Sequence, residues 1–250
     1  MMASLDSALR NLKSLRRMLN GLVNFDVVKF DGHHNLRSHL TQVFAQYHVD
    51  LVLDVGANEG QFAEFLREIG YAGEIHSFEP VKSVFERLSG KSNSDSRWFT
   101  HNFALGADSG FSEINVSDGT VLSSLLPLSE YAQRNWERSK VQYRERIQIK
   151  TIDECVVEGV LPDRPFFLKM DTQGFDLEVF RGARKSAASI QALLSELSFI
   201  SLYDGAPDYR QSLSVYEQAG FRLSAMYPVT RNRDLTVNEM DCIMVKAAGQ

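Results

Sequence analysis

The 250 residues are enough for one α/β domain with a substantial core, and a net charge of −5 argues against nucleic acid as the main partner, because phosphate binding rests on basic patches. Only Cys155 and Cys242 occur, with no C-x-x-C spacing, which excludes a disulfide framework or a zinc cluster and makes a reducing, cytoplasmic setting the default. No apolar run approaches the ~18 residues that a membrane-spanning helix needs.

In chain order, residues 3–22 come first. Leu5, Leu9, Leu12, Leu15, Leu19 and Leu22 recur at helical spacing among Arg10, Lys13, Arg16 and Arg17, which predicts an amphipathic helix. Such a helix packs on the domain or on a second subunit, as in a homodimer, or else lies on a membrane surface through its basic face. It lacks the continuous apolar core of a signal peptide. A further helix is expected over 36–47. Residues 1–48 then read as an N-terminal helical extension and 49–250 as the main domain.

The next element carries the strongest signal. An apolar strand over 51–55 ends in Asp54 and the turn Gly56-Ala57-Asn58-Glu59-Gly60, with a helix at 61–69 directly behind it. Side chains at Gly56 and Gly60 would block the approach of a ligand to the backbone, and the free N–H groups of the helix attract polar groups. The spacing is G-x-x-x-G, so it is not the dinucleotide fingerprint, which needs glycine at Asn58. That leaves an NAD-dependent oxidoreductase as a weak alternative.

A second strand at 74–79 ends in Glu79, about 20 residues past the glycine turn. In a doubly wound sheet it runs beside the first strand, where an acid can accept hydrogen bonds from both ribose hydroxyls. NAD and S-adenosylmethionine (SAM) both offer that ribose, and Asp54 at the mouth of the first strand suits a sulfonium cation better than a pyrophosphate.

Further strands are expected near 97–103, 146–151, 166–171, 191–198, 221–227 and 240–246, with helices near 81–89, 175–182 and 208–219. The alternation implies a mostly parallel sheet covered on both faces, and the last two strands suggest an antiparallel hairpin at its edge. The stretch 117–140, with Ser123 and Ser124, is expected to wall the substrate pocket. The polar stretch 228–239 reads as a loop or lid.

Three side chains stand at carboxyl ends of the later strands. Lys169 and Asp171 share a face by the period of two. Lysine in an apolar strand is rarely buried unpaired, so Lys169 either pairs with an acid such as Asp54 or serves as base or substrate contact. Glu196 lies in the strand expected beside Asp171, and two adjacent carboxylates can share a proton transfer or bind Mg²⁺ or another divalent cation. Tyr203 and Asp204 follow on a loop, lining the acceptor pocket or simply packing. His76 and His101 fall within strands as satisfied histidines. His33-His34 are weak metal evidence.

Five blocks of the chain, LDVGANEGQF at 53–62, SFEP at 77–80, NFALG at 102–106, FLKMDTQGFDLEVFRGA at 167–183 and SELSFISLYDGAPDY at 195–209, occur in an order that resembles the FkbM-type SAM-dependent methyltransferases. The resemblance implies a Rossmann-like class I methyltransferase fold: a mostly parallel seven-stranded sheet with an antiparallel C-terminal hairpin, plus N-terminal helices. It also implies an enzyme that methylates hydroxyl oxygens, most often on sugars of glycolipids or other glycosylated metabolites. Carried over by position, Asp54, Gly56, Ala57, Asn58 and Gly60 would form the methionine pocket, Glu79 with Pro80 the ribose contact, and Asn102 and Ala104 the adenine contact; Asn102 could equally serve as a turn residue. N-methylation and a non-catalytic SAM-fold binding protein are the alternatives.

Overall fold

A computed structural model describes residues 35–117, 122–135 and 140–247. The helix expected over 3–22 and the His33-His34 pair lie outside the described residues. A compact unit begins at Val43, within helix α1 (Leu36–Gln46), and contains everything that follows.

That unit is built on a seven-stranded sheet. Its strands are β1 (Leu51–Val55), β2 (Glu74–Phe78), β3 (Trp98–His101), β7 (Phe166–Met170), β8 (Ile190–Ser198), β9 (Phe221–Arg231) and β10 (Val237–Lys246), in the order β3-β2-β1-β7-β8-β10-β9. All pairings are parallel except those of β10, which runs antiparallel to both β8 and β9. This is the expected Rossmann-like methyltransferase sheet with its antiparallel C-terminal hairpin. Strands β1 and β7 are buried along their whole length, as strands covered on both faces must be.

Helices α2 (Gln61–Glu68), α3 (Lys82–Ser92), α4 (Glu130–Asn135), α5 (Ile152–Val157), α6 (Asp176–Arg181) and α7 (Tyr209–Gln218) connect the strands. Leu53, Val55, Leu168, Met170, Leu193 and Leu197 pack with Ile152, Val179, Phe180 and Tyr216 in one large core. Asp208 opens α7 with a capping box, its side chain accepting from Arg210 and Gln211 N–H while the Gln211 side chain accepts from the Asp208 N–H.

Two sequence expectations need correction. The strand expected at 146–151 is the end of β6 (Val141–Lys150), which leaves the main sheet and forms a second one in the order β4-β6-β5 with β4 (Ala104–Leu105) and β5 (Gly110–Ser117). Strand β5 had its own signal, for Ile114 and Val116 alternate onto a small core with Ile147, Val81 and Val84. The polar stretch 228–239 is not a free loop either: Thr230 pairs with Glu239 and Pro228 with Met240, so only the tip at 232–236 turns. Ladder pairing overrides polarity there, and Pro228 is tolerated because β9 is an edge strand. Helix α5 follows β6 directly, capped by the Thr151 hydroxyl accepting from Glu154 N–H.

Candidate active site

The strand order reverses between β1 and β7, and in such sheets ligands bind outside the carboxyl ends at that point. A cavity of about 300 Å³ opens there. Gly56, Asn58, Glu79, Pro80, Ala104, Ser123, Ser124, Asp171 and Glu196 line it, together with Phe78, Leu105, Ile114, Leu125, Gln173, Phe175, Thr230 and Glu239. Sequence reasoning had therefore named most of the polar wall.

The glycine turn is shaped by the protein itself. Gly56 and Ala57 N–H groups both donate to the Phe78 carbonyl, which hooks the turn over the end of β2. Gly56 has φ +73, and a Cβ there would meet the Asp171 carbonyl oxygen at 1.9 Å; at Gly60, with φ +88, it would meet the Trp98 ring at 2.7 Å. Both glycines are thus required by backbone conformation and by packing, not by a ligand alone as the sequence suggested.

Glu79 is buried, and its two oxygens accept from Asn58 N–H at 3.0 Å and Val81 N–H at 2.9 Å. Burial raises its pKa to about 7, against the lowering effect of those backbone donors. Each oxygen retains a further lone pair. Asn102 is exposed and its amide donates to the carbonyls of Glu79 and Pro80, so here it closes the turn beneath the cavity and does not line it. Ala104, buried in β4, is part of the apolar wall.

Asp54 does not reach the cavity. It is wholly buried, accepts from the Ser77 hydroxyl at 3.0 Å and faces the Lys169 ammonium at 3.0 Å. Lys169 also donates to the Gly56 carbonyl at 3.0 Å and lies 3.7 Å from Asp171. Burial opposes its charge, but Asp54 and Asp171 more than offset this and hold its pKa above the ordinary lysine value. Of the two readings for Lys169, the geometry is that of the ion pair.

Asp171 and Glu196 do come together. Gln173, which sequence reasoning passed over within a block it quoted, donates from Nε2 to Asp171 Oδ1 at 3.0 Å and to Glu196 Oε2 at 3.2 Å. Burial first, then Asp171 and Glu239, push the Glu196 pKa well above the usual carboxylate range. Burial likewise raises Asp241, the ladder partner of Glu196, to about 7. The buried Asp176 ties the pair's backbone together, accepting from Thr172 N–H on one oxygen and from Glu196 N–H and Ser195 hydroxyl on the other.

Tyr203 is buried behind this wall and donates to Gln173 Oε1 at 2.8 Å, while Ser124 donates to the Gln173 carbonyl. Asp204 is exposed, with its N–H on the Pro127 carbonyl, and does not line the cavity. His76 and His101 lie 3.0 Å apart along β2 and β3, stacked on Phe99 and Phe78; burial lowers both, His101 to about 4. They serve the sheet edge. Among the described residues no group of three or more His, Cys, Asp or Glu side chains is placed to hold a metal ion, and no helix is long and apolar enough to cross a membrane.

Comparison with known proteins places this site in context. Among solved structures the chain is similar to the methyltransferase FkbM from Methylobacillus flagellatus KT, at 16% identity and a TM-score of 0.49 over 79% of this chain. The match spans only 43% of that longer protein. It is also similar to an rRNA methylase from Streptococcus thermophilus (9% identity, TM-score 0.45, 86% of this chain and 99% of that one). A third similar structure is a precorrin-6y C5,15-methyltransferase from Geobacter metallireducens GS-15 (10% identity, TM-score 0.46, 88% and 92%). No curated protein matches the chain. Residues 54–223, from the buried acid of β1 to the third residue of β9, match the methyltransferase FkbM domain, and the chain belongs to this family of SAM-dependent methyltransferases.

Proposed function

We propose that the chain is an O-methyltransferase whose acceptor is a hydroxyl on a sugar of a glycolipid or another glycosylated metabolite. The observation that carries this reading is the Asp171–Glu196 pair, two carboxylates on one amide at the cavity wall. When bound, SAM supplies an electrophilic methyl group on a sulfonium. Gly56, Asn58, Glu79 and Pro80 would hold its amino acid and ribose, and Ala104, Leu105, Ile114 and Leu125 offer apolar contact to the adenine.

The energetics decide what the carboxylates do. An alcohol holds its proton with a pKa on the order of 16, so full ionisation at pH 7 costs roughly 12 kcal/mol. A positioned base contributes about 10²–10⁴ in rate, or roughly 3–5 kcal/mol. Free alkoxide is therefore not formed; Glu196 or Asp171 would take the acceptor's proton while the acceptor oxygen displaces the neutral thioether from the methyl carbon. Alignment of the reacting atoms can supply on the order of 7–11 kcal/mol, which makes positioning the larger contribution.

A divalent cation does not fit between the two carboxylates in this arrangement, because an N–H donor already lies on both. Among the described residues the cavity lining carries Glu79, Asp171, Glu196 and Glu239 and no Lys, Arg or His, which suits a neutral hydroxyl-rich acceptor and disfavours a phosphate. The same acids would hold an ammonium group, and this favours N-methylation as the second reading. The proposal further takes the chain as cytoplasmic, with a small-molecule or glycolipid acceptor, no nucleic acid partner, and residues 3–22 as the contact to a membrane surface or to a second copy. Labelled methyl transfer from SAM into a panel of deoxysugar glycolipids, free glycosides and amines, read by mass, tests it. Label in a sugar hydroxyl is expected; label confined to amines decides for the second reading.

A further inference from the structure

Gln173 is gripped from three sides. The Tyr203 hydroxyl donates to its Oε1 and the Ser124 hydroxyl to its carbonyl oxygen, each at 2.8 Å, and its own Nε2 donates to Asp171 and Glu196. Its backbone has φ +54, a region that residues other than glycine seldom adopt, so the placement is held by its surroundings. The Tyr203 hydroxyl lies 2.8 Å from Oε1 and 3.2 Å from the Leu122 carbonyl; its one hydrogen goes to the shorter contact, so the N–H end of the amide is the end that faces the acids. The reversed amide would aim a carbonyl oxygen at two carboxylates.

Around Glu196 the charged and titratable neighbours are acidic: Asp171 after β7, Asp176 at the start of α6, Glu239 and Asp241 on β10. The Tyr203 hydroxyl stays protonated, since burial and Glu196 raise its pKa. The Lys169 ammonium stands on the far side, 3.7 Å from Asp171. Among the described residues Gln173 is the hydrogen-bond donor on the Glu196 carboxylate. A donor to the charged form favours that form, and here it works against the four surrounding acids.

We infer that Gln173, oriented by Tyr203, is the positioning residue that holds the Glu196 and Asp171 carboxylates side by side and favours the proton-accepting form of Glu196. The inference rests on the reading of this pair as the proton acceptor for the transferred methyl's oxygen. Two hydrogens of one planar amide, each on a different carboxylate, also fix the separation of the pair and leave the remaining lone pairs for the acceptor.

Carbon-13 carboxyl NMR of the full chain saturated with SAM tests it without any acceptor, with the Glu196 signal identified by its loss in Glu196→Gln. Gln173→Met keeps the length and removes the donors. It is expected to move the Glu196 midpoint up by about one pH unit, the size of one charged hydrogen bond. Tyr203→Phe, which frees the amide to turn, is expected to move it less and in the same direction. Midpoints unchanged in both variants overturn the inference; if Gln173→Met does not fold, Tyr203→Phe decides alone. With an acceptor in hand, the acid limb of the kcat profile should follow the same shift while KM for SAM holds, and a fall in kcat with an unmoved limb marks a merely structural role. Failure of wild type to methylate any hydroxyl sinks the O-methyl reading separately and leaves the titration result standing.

Discussion

The Lys169 ammonium lies 3.0 Å from Asp54 Oδ1, at the register position where β1 and β7 pair, with both side chains buried. Asp54 Oδ2 accepts from the Ser77 hydroxyl, and the Ser77 oxygen in turn accepts from the Trp98 indole N–H. One charge pair therefore fastens β7, β1, β2 and β3 under the floor of the cavity. Lys169 reaches on to the carbonyls of Val55 and Gly56, so the same pair holds the glycine turn in place.

Removing one partner leaves a buried charge without compensation, a loss of about 3–5 kcal/mol. Lys169→Met should therefore lower the urea midpoint sharply. The double variant Asp54→Leu, Lys169→Met should recover part of that loss. A single variant as stable as wild type would show that the pair does not fasten the sheet.

Gly56→Ala places a methyl group against the Asp171 carbonyl in a backbone conformation alanine resists. The expected result is a stability loss of about 2 kcal/mol or more, with weakened SAM binding because Asp171 and the turn must move apart. Gly60→Ala presses on the Trp98 ring instead. It should cost stability with a smaller effect on SAM affinity, since Gly60 does not line the cavity. Thermal unfolding and calorimetry on the two variants separate these effects.

How far the sequence reaches can be seen in the same residues. The acids at the ends of β1, β2, β7 and β8 were legible because an apolar strand interrupted by a charge is a local pattern. Whether a charge faces a ligand or a partner was not, since Asp54 and Glu79 look alike in sequence and differ only in having Lys169 or an open cavity beside them. Gln173 carries no local signal at all: its role comes from Asp171, Glu196 and Tyr203, which the fold gathers from three separate segments. Glu239 was hidden by its polar neighbours, because an edge ladder does not announce itself in composition.

If Glu79 takes the ribose as proposed, SAM binding depends on pH. Burial pushes the Glu79 carboxyl up to about 7, and only the ionised carboxylate can accept from both ribose hydroxyls. Binding should tighten as pH rises from about 6 to about 8 and release up to one proton over that window. Calorimetry in buffers of different ionisation enthalpy reads the proton directly. Glu79→Gln should bind SAM more weakly and without this slope; an unchanged slope would place the titrating group elsewhere.

The Gln173 amide makes a final distinction between proton transfer and cation chemistry at Asp171 and Glu196. If the two carboxylates act through protons, Asp171→Asn and Glu196→Gln should each lower kcat, the more important one by about 10²–10⁴, with little change in SAM affinity. Chelator should leave turnover as it was, and added magnesium should not raise it. If instead a cation binds, both variants lose metal affinity together, chelator abolishes turnover, and Gln173 must turn its Oε1 inward to serve as a ligand. In that case Tyr203→Phe, which removes the hydroxyl holding Oε1 outward, should strengthen metal binding. Loss of activity with chelator, restored by magnesium, would therefore overturn the proton route at this pair.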